Sequence, residues 1–417
     1  MATPAQRTNT WILNEWYDQA VAGTQGDYSG DKQLWVWGNE NEGSLGLNNN
    51  VSVSSPTQLP AGVGNNWSSI ARRFTCGMGA PPQINNPAGN MTMFAIKTDG
   101  TLWGWGKNEQ GEIPVNTADS YSSPRQIPGS WTKCYQTRAG GAGFKTDGTL
   151  WIWGDNGEGM LGQNEKYSTR TGYSSPVQIP GTWSDLRGPD GGSSALAINT
   201  DGELWAWGQG AYGTLGQNEQ KDYSSPVQIP GTWSHFSPGS GGSGVSAKVW
   251  KPDGSLWGWG STSYGALGQN TSPGGGTERF SSPVQIPGTT WSNEGGGEVT
   301  IARKTDGTLW GMGRNGKGQL GLNSTIKYSS PVQIGNENTW SENIFCNDIY
   351  SGGVKTDGSL WLWGYGPNGN FGLNHRETIG PGIDQVSSPV QLPGSWTGEV
   401  GNSIAQGMNV TYYLKNV

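Results

Sequence analysis

The phrase Leu-Trp-x-Trp-Gly stands at 34–38, 102–106, 150–154, 204–208, 256–260 and 360–364, and returns as Leu-Trp-Gly-Met-Gly at 309–313. Successive copies start 68, 48, 54, 52, 53 and 51 residues apart, and each is followed by a Ser-Ser-Pro and then a lone Trp. A unit recurring at this period buries its apolar face against its neighbours, so the chain is constrained to a solenoid or a propeller. The long first step reflects extra residues between Trp67 and Thr98, which read as a loop insertion.

Four short strands fit each unit: Pro-Val-Gln-Ile, the Thr-Trp-Ser segment, a run ending in Ile-Lys or Phe-Lys, and Leu-Trp-x-Trp. Thr-Asp-Gly-Thr at 98–101, 146–149 and 305–308 joins the third to the fourth, with Asp-Gly supplying the positive φ of a tight hairpin. Pro-Gly at 128–129, 180–181, 230–231, 287–288 and 393–394 is expected to turn the first strand into the second. A four-stranded meander repeated seven times predicts an all-β chain, a seven-bladed β-propeller of four-stranded antiparallel blades. In this phase Leu34 arrives without three preceding strands. The C-terminal Ser387-Ser-Pro, Trp396 and 409–416 segments are the three that are missing. Pairing the last of them with 34–38 closes the ring and removes an exposed edge. Two regions follow: an N-terminal arm, 1–29, and the propeller, 30–417.

Low hydrophobic content and 71 Gly would suit a disordered chain, but 23 Trp provide large periodic surfaces to bury. Thirteen lie in the Leu-Trp-x-Trp phrase and seven lead the second strand, leaving Trp11, Trp16 and Trp250. In a strand the two Trp of a phrase share one face, and Leu with the residue between the Trp share the other. Large side chains on one face and small ones on the other let neighbouring blades interlock.

The longer phrase Leu-Trp-x-Trp-Gly-x-Asn-x-x-Gly-x-Leu-Gly, complete at 150–162, resembles the regulator-of-chromosome-condensation repeat. Copy two departs from it at Glu112-Ile113-Pro114, and copy six at Met312. The resemblance covers 30–417 and implies a latched seven-bladed propeller. It does not by itself imply one activity. Relatives of this fold include nucleotide-exchange factors with basic chromatin-binding elements, a photoreceptor using interface Trp beside Arg, and an inhibitor that serves as a binding platform. The wording of these copies, and the opening Thr-Asn-Thr-Trp-Ile-Leu-Asn-Glu-Trp-Tyr, are similar to versions encoded by bacteriophages, especially of marine hosts.

Lys and Arg number 25 against 32 Asp and Glu, a formal charge of −7 with no basic block. Nucleic acid and an anionic membrane are therefore not expected partners, and neither a secretion leader nor a membrane-spanning segment is expected. Cys76, Cys134 and Cys346 are scattered and read as buried small hydrophobes. His235 and His375 read as ordinary loop histidines. The recurring Asp read as turn residues, and Gly-x-Asn-x-x-Gly as blade-to-blade turning, since no helix follows it to hold a phosphate. No nucleophile has a recognisable context, so no enzyme, cofactor or metal is expected.

Function is then expected where the copies differ. The variable segments Arg72–Met91, Glu165–Tyr173, Phe236–Ser246, Thr271–Phe280 and His375–Val386 all fall on one rim, opposite the short turns. Candidate contacts there are Tyr167, Arg170, Tyr173, Arg279, Phe280, His375 and Arg376. In the arm, a helix from Asn9 or Thr10 to Ala22 would group Ile12, Trp16 and Ala20 on one face, with Leu13 and Tyr17 beside it. Trp11, Ile12, Trp16 and Tyr17 are the candidate anchors, packing on the chain's own ring or on a neighbouring subunit. The expectation is a non-enzymatic interaction propeller in a phage virion, at a capsid surface, tail fibre or baseplate, contacting other virion proteins, a host-surface receptor or a further copy of itself. The alternatives are a bacterial cytoplasmic binding or inhibitor propeller and, behind it, a guanine-nucleotide exchange factor.

Overall fold

The computed structural model describes residues 35–38, 43–51, 53–60, 66–70, 72–73, 92–137, 140–165, 172–187, 194–237, 246–261, 264–271, 279–295, 298–346, 350–365, 385–392, 406–407 and 410–411. They form an all-β chain, with two single-turn 3-10 segments, Gly157–Gly159 and Ala211–Gly213. The arm at 1–29 and its expected helix lie outside the described residues.

Six consecutive antiparallel sheets share one strand order. The second shows it: Trp131–Thr137, Gly140–Lys145, Leu150–Gly154 and Tyr173–Ile179 pair in sequence. The others begin at Trp67, Trp183, His235, Trp291 and Trp340. The Trp-led strands lie nearest the axis. The strand Trp340–Cys346 packs on Trp291–Gly295 of the preceding sheet, and the short Arg72–Arg73 runs parallel to Trp131–Thr137 of the next. The Ser-Ser-Pro strands form the outer edge, with half-buried and exposed residues along most of their length.

This corrects the phase of the blade. The Ser-Ser-Pro strand pairs with the Leu-Trp-x-Trp strand that precedes it, as in Trp151 with Gln178, and not with the Trp-led strand that follows. Pro-Gly therefore carries the chain from the outer edge of one sheet to the inner edge of the next. Trp131 donates its backbone N–H to the Gly100 carbonyl of the preceding sheet, 2.7 Å away, which holds that crossing. The closing arithmetic changes too. Trp35–Gly38 already pairs with Val53–Gln58, so among the described residues that sheet holds two strands rather than one. Pairing of the 409–416 segment with the first phrase is not seen among the described residues, where Gln406–Gly407 pairs with Val410–Thr411.

The final Gly of the phrase has a definite cause. In each sheet a bulge falls at the second Trp or its Met substitute, between Ile152 and Gly154 for example, in the pairing with the outer strand. The Gly after it takes φ from +93° to +107° in all six, a region that L side chains rarely enter.

The faces interlock as the alternation requires. Trp207 joins Ile152, Met160, Leu161 and Ile179 of the preceding sheet in one apolar cluster. Leu204 and Ala206, on the opposite face, join Trp233 and Trp259 of the next. The core is thus a series of such layers between sheets. The cross-strand partners of the buried Trp are small: Gly141 faces Trp153, Ala195 faces Trp207, Ala247 faces Trp259 and Ser351 faces Trp363.

Candidate interaction surface

Most recurring polar groups of the repeat are taken up by the frame. The second Trp of the phrase donates its indole N–H to a carbonyl of the preceding sheet's connecting segment. Trp105 reaches Ser44, Trp153 Glu112, Trp207 Met160, Trp259 Thr214 and Trp363 Gln319, at 2.8–3.0 Å. The fifth sheet has Met312 there and no indole. Its cross-strand partner Thr300 donates a hydroxyl to the equivalent carbonyl, Ala266, at 3.1 Å. The acceptor stays satisfied, so Met312 is a compensated departure.

The Gly-x-Asn-x-x-Gly segment is likewise a structural turn. Asn108, Asn156 and Asn315 each accept the N–H five residues on, from Ile113, Leu161 and Leu320. Ile113, fully buried, substitutes for the usual Leu in copy two. The adjacent Gly159 N–H is spent on the Asn156 carbonyl and the Gly162 N–H on Gly159.

At the Asp-Gly turns, a carboxylate, a hydroxyl and an indole form a relay. Asp147 accepts both the N–H and the hydroxyl of Thr149, and the Thr149 oxygen accepts the Trp151 indole N–H at 2.7 Å. The same relay stands at Asp99, Asp253, Asp306 and Asp357. The Thr or Ser hydroxyl, and then its backbone N–H, hold all five carboxyls below their ordinary pKa. The Lys that opens each turn lays its ammonium over that first Trp. Distances to the ring centre are 4.3 Å for Lys97 on Trp103, 3.6 Å for Lys145 on Trp151 and 4.0 Å for Lys251 on Trp257. Lys304 lies 4.2 Å from Trp310 and Lys355 3.9 Å from Trp361. The inner-strand Trp forms the second wall, 5.0–5.4 Å from the same ammonium.

The third sheet breaks this pattern. Asn199 replaces the Lys and Glu203 the Thr. Asn199 now accepts the Asp201 and Glu203 N–H groups and donates to the Glu203 carboxylate at 2.7 Å. The Trp205 indole N–H is buried without a partner. Sequence reading treated these turns as equivalent and passed over the departure. Comparing Asn199–Glu203 with the Lys-x-Asp-Gly-Thr/Ser of its siblings was the available signal.

Of the loop-rim candidates, Tyr173, Arg279 and Phe280 are described. Tyr173 donates its hydroxyl to Glu165, which raises its pKa. Arg279 lies over the Tyr212 ring at 4.3 Å and donates to Gln220. Phe280 pairs with Gly260 and packs partly buried on the core. All three engage their own ring, and the structure does not gather them into one patch. Trp11, Ile12, Trp16, Tyr17, Tyr167, Arg170, His375 and Arg376 lie outside the described residues. His235 is not in a loop: it opens the strand His235–Ser237 and stacks on Trp250 at 4.6 Å, where burial lowers its pKa. Cys134 and Cys346 are buried thiols, and burial pushes the Cys134 thiol up. Among the described residues, no three His, Cys, Asp or Glu are placed to hold a metal ion. No helix there is long and apolar enough to cross a membrane.

Sheets of four antiparallel strands, each seating Trp in the one before, define a repeat β-propeller. Residues 31–77, 201–245 and 306–347 match the regulator of chromosome condensation (RCC1) repeat. Human E3 ubiquitin-protein ligase HERC2 is 24% identical over 359 residues, covering 82% of this chain but only 7% of that protein. The Arabidopsis thaliana ultraviolet-B receptor UVR8 is 25% identical over 371 residues, 86% of this chain and 78% of the receptor. The solved structure of Saccharomyces cerevisiae Prp20p superimposes with a TM-score of 0.61 at 17% identity, covering 88% of each chain, which establishes the shared fold.

Proposed function

We propose that this chain is a non-enzymatic protein-interaction propeller serving as a structural component of a phage virion, at a capsid surface, tail fibre or baseplate. The observation that carries the interaction reading is the consumption of the repeat's own chemistry by the frame. Asp, Asn and Thr groups recur in bonds within the turns and connecting segments, and the second Trp of the phrase recurs in bonds between sheets, so specificity resides where the sheets differ. In sequence, those differences concentrate on the rim opposite the Asp-Gly and Pro-Gly turns, a usual place for binding residues on a rigid scaffold. Prp20p, of the same fold, is described with its binding to Gsp1p and histones, an instance of this scaffold engaging proteins.

The virion assignment draws support from the resemblance of the repeat wording and of the opening segment to phage-encoded copies. Within it, 1–29 is an arm that docks on a neighbouring virion subunit or on its own ring, and 30–417 is a seven-bladed ring. Seven Leu-Trp phrases support that count. In the observed phase, the Trp396 and 409–416 segments supply the two strands that 35–38 and 53–58 lack. Mass spectrometry of purified virions from the source tests the assignment: the chain at stoichiometric abundance supports it, and its absence from washed particles refutes it. Acceleration of nucleotide release from a small GTPase by the purified chain would instead mark an exchange factor.

A further inference from the structure

We infer that the groove between the second and third sheets, walled by Trp183 and Trp205, binds the ammonium of a lysine side chain presented by another polypeptide. This rests on the reading of the chain as a protein-interaction propeller and names the group it recognises at one site. The molecule itself displays the fit. In five sibling sheets a lysine ammonium occupies the corner between the inner-strand Trp and the first Trp of the phrase. The third sheet keeps both walls. Trp183 and Trp205 stand 6.2 Å apart at 84°, matching Trp291 and Trp310 at 6.2 Å and 85°. Among the described residues no cation lies over either ring.

Two further features favour a cationic guest. First, the turn that elsewhere balances one Lys against one Asp here holds Asp201 and Glu203 with no Lys. An ammonium over the rings is attracted both by the ring faces and by this surplus negative charge. Second, the groove is open and larger without its lysine. It measures about 520 Å³ between Gln163, Pro180, Trp183, Asn199, Trp205 and Pro226, against about 400 Å³ for the lysine-filled equivalent at Trp291 and Trp310. The proline walls suit an alkyl stem. In the siblings the occupant is a lysine side chain on a polypeptide backbone, with its ammonium over the rings, so the guest that fits the vacant corner is a lysine presented by another polypeptide.

The test uses the full chain with ¹⁵N-labelled tryptophan. The Trp205 indole signal is assigned by its loss in Trp205→Phe. It is then followed by NMR as acetyl-Gly-Lys-Gly-amide, the norleucine analogue or n-butylamine is added. The lysine peptide should shift that signal saturably, with affinity about tenfold above the norleucine peptide and several-fold above n-butylamine. Asn199→Lys, which restores the sibling residue, should fill the groove from within and abolish the response while the chain stays folded. Equal response to norleucine, undiminished binding by Asn199→Lys, or no shift up to roughly 50 mM peptide would overturn the site. Equal affinity for n-butylamine would overturn the polypeptide guest in favour of a free amine. The titration is indifferent to where the chain is assembled, so its failure and that of the virion assignment are separately visible.

Discussion

Replacing Trp207 with Ala probes the frame at its most burdened point. The side chain is fully buried, packs against Trp183 at 6.1 Å, and fills space between Ile152, Leu161 and Ala195. Its indole also donates to Met160 at 2.9 Å. Loss of a buried Trp costs about 3–5 kcal/mol through lost transfer energy and the cavity left behind. Leaving the Met160 carbonyl unsatisfied belongs to the same penalty, about 1 kcal/mol of it. An intermediate, Trp207→Phe, keeps most of the packing and loses the donor, so it should cost about 1–2 kcal/mol. Since native domains are stable by about 5–15 kcal/mol, Trp207→Ala should move the urea midpoint far down or leave the chain insoluble. Equilibrium denaturation followed by tryptophan fluorescence and by circular dichroism measures both variants. A Trp207→Ala protein within about 1 kcal/mol of wild type would refute the interlocking of sheets as the source of stability.

Thr300→Val should cost about 1 kcal/mol, because the Ala266 carbonyl loses the donor that stands in for the missing indole; a Thr300→Ser variant should recover most of it in the same urea titration. Gly141→Val should destabilise by about 2–3 kcal/mol through overpacking, since a Cβ on Gly141 would lie 2.7 Å from the Trp153 ring; calorimetry would detect an unchanged melting temperature as the contrary result. The five relay carboxylates have folded pKa values depressed below the unfolded value, so their ionisation stabilises the fold. That contribution is complete above about pH 3.9 and is lost as pH falls through the folded values. The melting temperature should therefore fall below that point, and Asn substitutions at Asp147, Asp253 and Asp306 should flatten the fall; an unaltered acid limb would count against the relay.

Much of the fold was legible because its determinants are local. The Asp-Gly hairpin depends on four adjacent residues, and the alternation of Trp and small residues depends on the two-residue period of a strand. Met312 looked like a weakness in one copy and is compensated by Thr300, twelve residues earlier in sequence and directly opposite across the hairpin. The phase of the blade was read wrongly for a related reason. In an endless meander, Pro-Gly serves equally well as a turn within a sheet or as a crossing between sheets, and nothing local to residues 128–129 separates the two. The hydrogen bonds of Trp151 with Gln178, and of Trp131 with Gly100, do.

Sequence alone determined the repeat, the four-stranded unit and the opposite faces of Trp and Leu, since period, turn chemistry and side-chain alternation are carried by neighbouring residues. Only the tertiary structure decided which strand ends each sheet, that 35–38 pairs with the Ser-Ser-Pro strand that follows it, and that Ala266 is satisfied by a hydroxyl. The Trp183–Trp205 groove also belongs to the tertiary level. It joins Gln163, Pro180, Asn199 and Pro226 from two sheets, and its missing lysine acquires meaning only when the five filled corners are superimposed on it. Contacts between residues dozens of positions apart are settled by packing, which no local pattern records.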